Sequence, residues 1–154
     1  MYSFDFIDPP DIKKWEKYQR EGYISDYVYI KDTKDKGMGV FAKRDIPINT
    51  IIEYCHCLVF DKKEDGFSLD SKNKIYKYAY NNYQKGKIIL PLGYGMIYNC
   101  GNSPREVNAR YFHSSNKGLF IVESFRKILK DEEILLYWGD DYYNTWIKTN
   151  HKIY

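Results

Sequence analysis

Residues 50–60, TIIEYCHCLVF, constrain this chain more than any other segment. With a strand period of two, Ile52, Tyr54, His56, Leu58 and Phe60 share one face, and Ile51, Glu53, Cys55, Cys57 and Val59 share the other. Both faces are mostly apolar, so the strand is expected to be covered on both sides. Shorter strand patterns surround it. Residues 27–30 (YVYI) form one, and 37–42 (GMGVFA) read as a glycine-hinged turn entering a second. Residues 119–125 and 134–138 supply two more. The stretch 61–73 is polar and loop-like. Residues 74–83 carry many tyrosines without a clear period. The apolar run 88–98 is broken by Pro91, Gly93 and Gly95. Near the start, Asp8-Pro9-Pro10-Asp11 reads as a helix N-terminus with Asp8 as candidate N-cap, and Ile12, Trp15 and Tyr18 follow at helical spacing up to Gly22. The expectation is a mainly β domain with short helices.

A chain of 154 residues accommodates one hydrophobic core. At 29% charged and 44% apolar it has the make-up of a globular domain. Its net charge of +3 does not demand nucleic acid. No run approaches the roughly 18 apolar residues of a membrane span. The N-terminus lacks the basic and apolar regions of a signal peptide, so an intracellular location is expected. Cys55, Cys57 and Cys100 cannot all pair within the chain, which favours a reducing compartment. No C-x-x-C or H-E-x-x-H pattern occurs, the three histidines are scattered, and no metal site is expected. The unusual feature is aromatic content, 18%, with 17 Tyr. Tyrosine combines a large apolar surface with a hydroxyl that needs a partner, a combination suited to lining pockets.

One internal echo stands out. Arg44-Asp45-Ile46-Pro47-Ile48-Asn49 precedes the apolar run at Ile51, and Arg126-Lys127-Ile128-Leu129-Lys130-Asp131 precedes that at Ile134. Each ends in Asn or Asp, the non-glycine residues that best tolerate positive φ. Two similar turns between strands account for the echo without a duplicated domain.

Four segments, in order, resemble the SET-domain protein-lysine methyltransferases. They are Gly37-Met38-Gly39-Val40-Phe41-Ala42; Arg44-Asp45-Ile46-Pro47 with Ile52-Glu53; Gly95-Met96-Ile97-Tyr98-Asn99 with Pro104 and Asn108-Ala109; and residues 128–139 followed by Asp140-Asp141-Tyr142. In length and ending the chain is most similar to the compact viral type. The resemblance implies a SET domain over residues 27–143, an N-terminal helical arm over 1–26 and a short tail over 144–154. It also implies several small curved sheets, with the C-terminal segment threaded beneath a loop as a pseudoknot.

The resemblance further implies S-adenosyl-L-methionine as methyl donor and a protein lysine as acceptor, with histone tails the default substrate and a nuclear or cytoplasmic setting. Neither membrane nor direct nucleic-acid binding is implied, and a homodimer is permitted. The implied cofactor contacts are Lys36, the backbones of Gly37, Met38 and Gly39, then Tyr98, Asn99, Cys100 and Trp138. Cys100 stands where the family has His, whose backbone meets the adenine; Asn108 is the choice for the family's second Asn. Tyr78, Tyr94 and Tyr142 would line the lysine channel. The sharpest departure is that Trp138 occupies the position of the family's catalytic Tyr, with Tyr137 one residue earlier. A one-residue slip in a strand reverses the facing, so Tyr137 is expected to point away from the channel. Trp donates an N–H but has no oxygen acceptor. The hydroxyls of Tyr142, Tyr98 or Tyr78 are the candidates to stand in, with Tyr137 and Trp138 completing the catalytic set. The contrasting expectation is a catalytically silent SET module that binds a peptide or partner protein.

Overall fold

The computed structural model describes residues 23–24, 26–65, 75, 78–82, 86–114 and 118–139. Of the helical arm expected over 1–26, residues 1–22 lie outside the described residues, as do Tyr142 and the tail 144–154, and at the arm's end Tyr23–Ile24 form a strand on Glu53–Tyr54. The described chain forms ten strands: β1 (Tyr23–Ile24), β2 (Val28–Asp32), β3 (Met38–Ala42), β4 (Ile51–Asp61), β5 (Tyr80–Asn82), β6 (Lys87–Pro91), β7 (Asn99–Cys100), β8 (Ala109–Ser114), β9 (Leu119–Ser124) and β10 (Leu135–Leu136). Among the described residues there is no α-helix.

Strands β2 and β3 form a two-stranded antiparallel sheet. The others follow the order β5-β6-β4-β9-β8-β10-β7, with β1 on β4. The long β4 links two parts of this sheet. Its residues 51–56 pair with β9, and residues 57–61 pair with β6. Strand β9, LFIVES, is buried along its whole length between β4 and β8, which explains the apolar run of its first four residues. The main core gathers Val28, Val40, Ile46, Ile52, Phe120, Val122, Ile128, Ile134 and Leu136 between the sheets.

The faces of β4 differ from simple alternation. The register on β9 shifts between Ile51 and Glu53, so Ile52 sits in a β-bulge. Ile52 then joins Cys55 in the main core, while Tyr54 packs with Ile51, Leu119 and Ile121 in a smaller cluster. Cover on both sides is also confined to the first half of the strand. Residues 52–55 are buried, whereas His56 is exposed and Leu58 is 50% exposed.

The two echoing segments pair with each other about an approximate twofold axis. Ile46 and Ile128 exchange N–H···O bonds of 2.8 and 3.0 Å. Asn49 N donates to Ser124 O (2.8 Å) and Asp131 N to Ala42 O (2.7 Å), and Ser124 N and Ala42 N return bonds to Thr50 O and Glu132 O, both 3.0 Å. Asn49 (φ 59°) and Asp131 (φ 63°) are left-handed, as their residue types led one to expect.

Strand β10 runs parallel to both of its neighbours, Leu135–Leu136 beside Asn99–Cys100 and Leu136 beside Ala109. Because 101–108 joins those neighbours directly, that connection must cross β10, and the C-terminal segment is threaded as expected. The strand anticipated at 134–138 contracts to two residues, since its partner β7 is itself two residues long.

Replacing Asn49 by Ala should cost about 1–2 kcal/mol, the left-handed penalty of an ordinary side chain. Asn49→Gly should stay within about 1 kcal/mol of wild type. Urea unfolding of the two variants checks this; an Ala variant as stable as the Gly variant contradicts the conformational argument.

Candidate functional site

The turn between β2 and β3 and the short strand β7 meet in space. Thr33 ties the turn, its N–H and hydroxyl both donating to Gly37 O at 2.7 Å, while Lys36 N donates to Thr33 Oγ1 at 2.9 Å. Gly37 has φ +72°, so only a glycine turns here without strain. From β7, the Asn99 side-chain amide donates to Met38 O (3.1 Å) and to Glu133 Oε1 (2.8 Å). Lys36 Nζ donates to Cys100 O at 2.9 Å. A Cβ at Gly39 would stand 2.5 Å from Glu133 Oε1 and 3.1 Å from Asn99 Nδ2, so the glycine is what lets β3 approach these groups. Lys36, Gly37, Met38, Gly39, Asn99 and Cys100 therefore form one cradle, and Met38 lies half exposed at its edge.

Below it lies a buried carboxylate. Glu53 is fully buried, and its Oε1 accepts from Tyr94 N at 2.7 Å. Gly93, with φ +70°, turns so closely over Oε1 that a Cβ there would collide with it. The Tyr98 hydroxyl interacts with the same carboxylate, although neither it nor Oε2 makes a hydrogen bond of regular geometry. Burial pushes Glu53 up to about 7, against the opposing pull of the Tyr94 N–H, the Tyr98 hydroxyl and the Gly95 N–H. Burial also raises the Tyr98 and Tyr80 hydroxyls well above their ordinary value, so both stay protonated. The Cys55 and Cys57 thiols are likewise raised by burial, Cys57 to about 12, and are packed rather than reactive.

An aromatic cluster completes the region. Tyr80 packs on Phe120 (4.7 Å between centroids), Tyr111 (5.0 Å) and Trp138 (6.2 Å), and its hydroxyl donates to Gly95 O at 3.2 Å. Trp138 reaches the main core as well as the satellite of Cys100 and Val107. Tyr137 packs against that same satellite, as does Phe125. Tyr94 packs against the main core, whereas Tyr78 is 52% exposed in the turn after Ile75 and stands apart.

A family model described as "SET domain" matches residues 37–139. The chain belongs to the SET-domain family. It is similar, at 31% identity over 72% of each chain, to a Schizosaccharomyces pombe protein named histone-lysine N-methyltransferase, H3 lysine-37 specific. It also resembles the crystal structure of a Plasmodium falciparum candidate histone methyltransferase, at 31% identity and TM-score 0.59, over 76% of this chain and 96% of that one. The SET domain of ATXR5 in complex with a histone H3 methylated on R26 shares the fold, at 12% identity and TM-score 0.61, over 88% of this chain and 69% of that one.

Within this SET domain, Glu133, Tyr80, Tyr111 and Glu53 are the site residues that sequence reasoning missed. Glu53 lay in a recognised motif, but its place among apolar residues gave no sign of its bond from Tyr94 N. Tyr80 and Tyr111 were hidden among 17 tyrosines.

The raised Glu53 has a definite sign. Its folded value (about 7) lies above its ordinary 4.5, so it stabilises the fold at low pH and that contribution is lost as pH rises from about 4.5 through about 7. Asp61, held to about 2 mainly by the Lys87 ammonium, acts only on the acid side of this window. Between pH 5 and 8 wild-type stability should fall by roughly 2–3 kcal/mol. Glu53→Gln should abolish that slope. Thermal melts across the range read it, and an unchanged slope in the variant assigns the effect elsewhere.

Proposed function

We propose that this SET domain transfers a methyl group from S-adenosyl-L-methionine to the side-chain amine of a protein lysine, with histone H3 the substrate class its relatives favour and the nucleus its setting. The observation that carries the reading is the junction of the β2–β3 turn with Asn99. Both amide hydrogens of Asn99 are committed to Met38 O and Glu133 Oε1, so the amide is oriented and its carbonyl oxygen is turned to accept from a ligand. The open space over Gly37 and the half-exposed Met38 leave room for the amino-acid end of the donor beside that oxygen. When bound, S-adenosyl-L-methionine supplies an electrophilic methyl on a sulfonium.

The chain's own residues would hold the donor and present the lysine. Positioning carries much of such a displacement, because attack needs the amine in line with the methyl–sulfur bond. Lysine attacks only when neutral, and its ordinary pKa is near ~10.4. The aromatic wall of Tyr80, Tyr111, Phe120 and Trp138 disfavours an ammonium by desolvation and surrounds the aliphatic stem. Tyr94 and Tyr98 stand on the turn held by Glu53 and are the nearest candidates to present hydroxyls to the amine. Trp138, in place of the family's Tyr, contributes surface and one N–H. Tyr137 faces the Cys100 side and is assigned to the donor's pocket rather than to the amine. Tyr142 remains proposed as a channel residue on the resemblance alone.

Recombinant protein with labelled donor and histone H3 should give labelled H3 that is lost when its lysines are blocked. Donor binding without transfer to any lysine at any pH from 7 to 10 would falsify the enzyme reading and leave a peptide-binding SET module. Trp138→Tyr should raise the transfer rate by up to about tenfold, since one added transition-state hydrogen bond is worth about 1 kcal/mol. Trp138→Phe should bring no gain. Equal or lower activity in the Tyr variant assigns Trp138 a role of its own.

A further inference from the structure

We infer that Glu133 is a specificity-determining residue of the cradle, holding the Asn99 amide and favouring the cationic methyl donor over its neutral thioether product. This rests on the S-adenosyl-L-methionine reading above.

Glu133 is the last of three consecutive acidic residues, 131–133, at the entry to β10, and the two glutamates are employed differently. Glu132 faces a cation, its Oε1 accepting from Arg126 Nη2 at 2.6 Å, while its Oε2 accepts from Leu129 N at 2.8 Å. The Arg126 guanidinium helps hold it below its ordinary value against the opposing effect of burial. Glu133 points to the other side. Its backbone bridges to Phe41 of β3, and its Oε1 accepts from Asn99 Nδ2. Among the described residues it makes no ion pair, and Oε2 makes no hydrogen bond. Lys36, the cation of the neighbouring turn, is held on Cys100 O instead. A half-buried carboxylate thus stands against Asn99 and Gly39, within the groups proposed to receive the donor, with an amide but no cation beside it.

That placement has an electrostatic consequence. In methyl transfer the S–CH3 bond breaks with its electron pair left on sulfur, and a new N–CH3 bond forms from the lysine lone pair. The positive charge moves from sulfur to nitrogen, and the methylated ammonium can later release a proton to solvent. The donor therefore carries one positive charge more than the thioether it becomes. A carboxylate in a partly desolvated cradle distinguishes the two, because charge–charge attraction strengthens as the effective dielectric falls. Glu133 holds the donor more tightly than the product and speeds product exchange. A neutral amide in its place still accepts the Asn99 hydrogen bond, so orientation and charge can be separated experimentally.

The test is calorimetry of wild type and Glu133→Gln with three ligands: S-adenosyl-L-methionine, S-adenosylhomocysteine, and sinefungin, in which a protonatable amine replaces the methylsulfonium. The expected result is a fall of at least about fivefold in the preference for the two cationic ligands over S-adenosylhomocysteine, with thioether affinity changed much less. Equal weakening of all three would overturn the inference and reduce Glu133 to a support for Asn99. If the variant does not fold, wild type decides. Its preference for the cationic ligands should shrink between 50 and 500 mM salt, values chosen to span about a threefold change in screening length; a preference insensitive to salt overturns the inference. If wild type binds none of the three ligands, the donor assignment fails along with it, an outcome distinct from equal weakening.

Discussion

The structure depends on one side chain, Asn108, and the segment it holds. Asn108 is fully buried beside β10. Its Nδ2 donates to Glu133 O (2.7 Å) and Glu132 Oε1 (3.2 Å), and its Oδ1 accepts from Leu135 N (2.8 Å). Its backbone N–H donates to Leu135 O at 3.1 Å, and its carbonyl accepts from Phe125 N at 3.1 Å. Two-residue strands have little stability of their own, and buried backbone groups left without partners cost about 1–3 kcal/mol each. Asn108 supplies those partners where the ladder is too short to do so. The threaded segment in turn places Glu133, Tyr137 and Trp138 against the elements that carry Asn99, Cys100 and Tyr80. Every hydrogen-bonding group of the Asn108 amide is thus engaged with β10 or the residues leading into it.

The second constraint is the buried Glu53. A carboxylate with no exposure is unfavourable unless its oxygens meet donors. Here Oε1 meets the Tyr94 N–H, whose approach the glycine at 93 permits, while Oε2 makes no hydrogen bond of regular geometry. The cost of burying Glu53 is thus coupled to the shape of the turn that carries Tyr94 and leads to Tyr98 and Asn99. The approximate twofold pairing of 44–49 with 126–131 acts from the other side. It anchors β3 and β4 to the segments flanking β9 and β10, so the cradle and the core share supports.

The β-rich character, the strands at β2, β3, β4 and β9, and the positive φ of Asn49 and Asp131 were legible because each depends on local pattern or residue type. The motif at 37–39 and that at 99 were legible as partners only through the family resemblance, since no periodicity joins residues so far apart in sequence. The faces of β4 were misread at Ile52 because a single-residue bulge leaves no compositional mark. Strand β8, ARYFHS, escaped notice because Arg110 interrupts its apolar character; in the fold its guanidinium is matched by Glu123 Oε2 at 2.8 Å across the β8–β9 ladder. Glu133 was hidden for a different reason. Its neighbour Glu132 looks identical in sequence, and only the threading of β10 decides which of the two meets Arg126 and which meets Asn99.

Under the proposed function, Trp138 stands at the position of the family's Tyr, and most of its contacts lie away from the cradle. The cradle is built from backbone groups of residues 37–39 and 100, the Asn99 amide and the Glu133 carboxylate, and it meets Trp138 at the Cys100 satellite. Trp138 makes its contacts with Tyr80, the main core and the Cys100 satellite, and a larger ring there adds buried apolar surface. Under the proposed function, replacement at this position acts mainly on the acceptor side, exchanging a hydroxyl for surface and an indole donor. The task of aligning the amine then falls to Tyr94 and Tyr98, whose turn is held by Glu53, so on that reading the acceptor side depends on a buried carboxylate of β4.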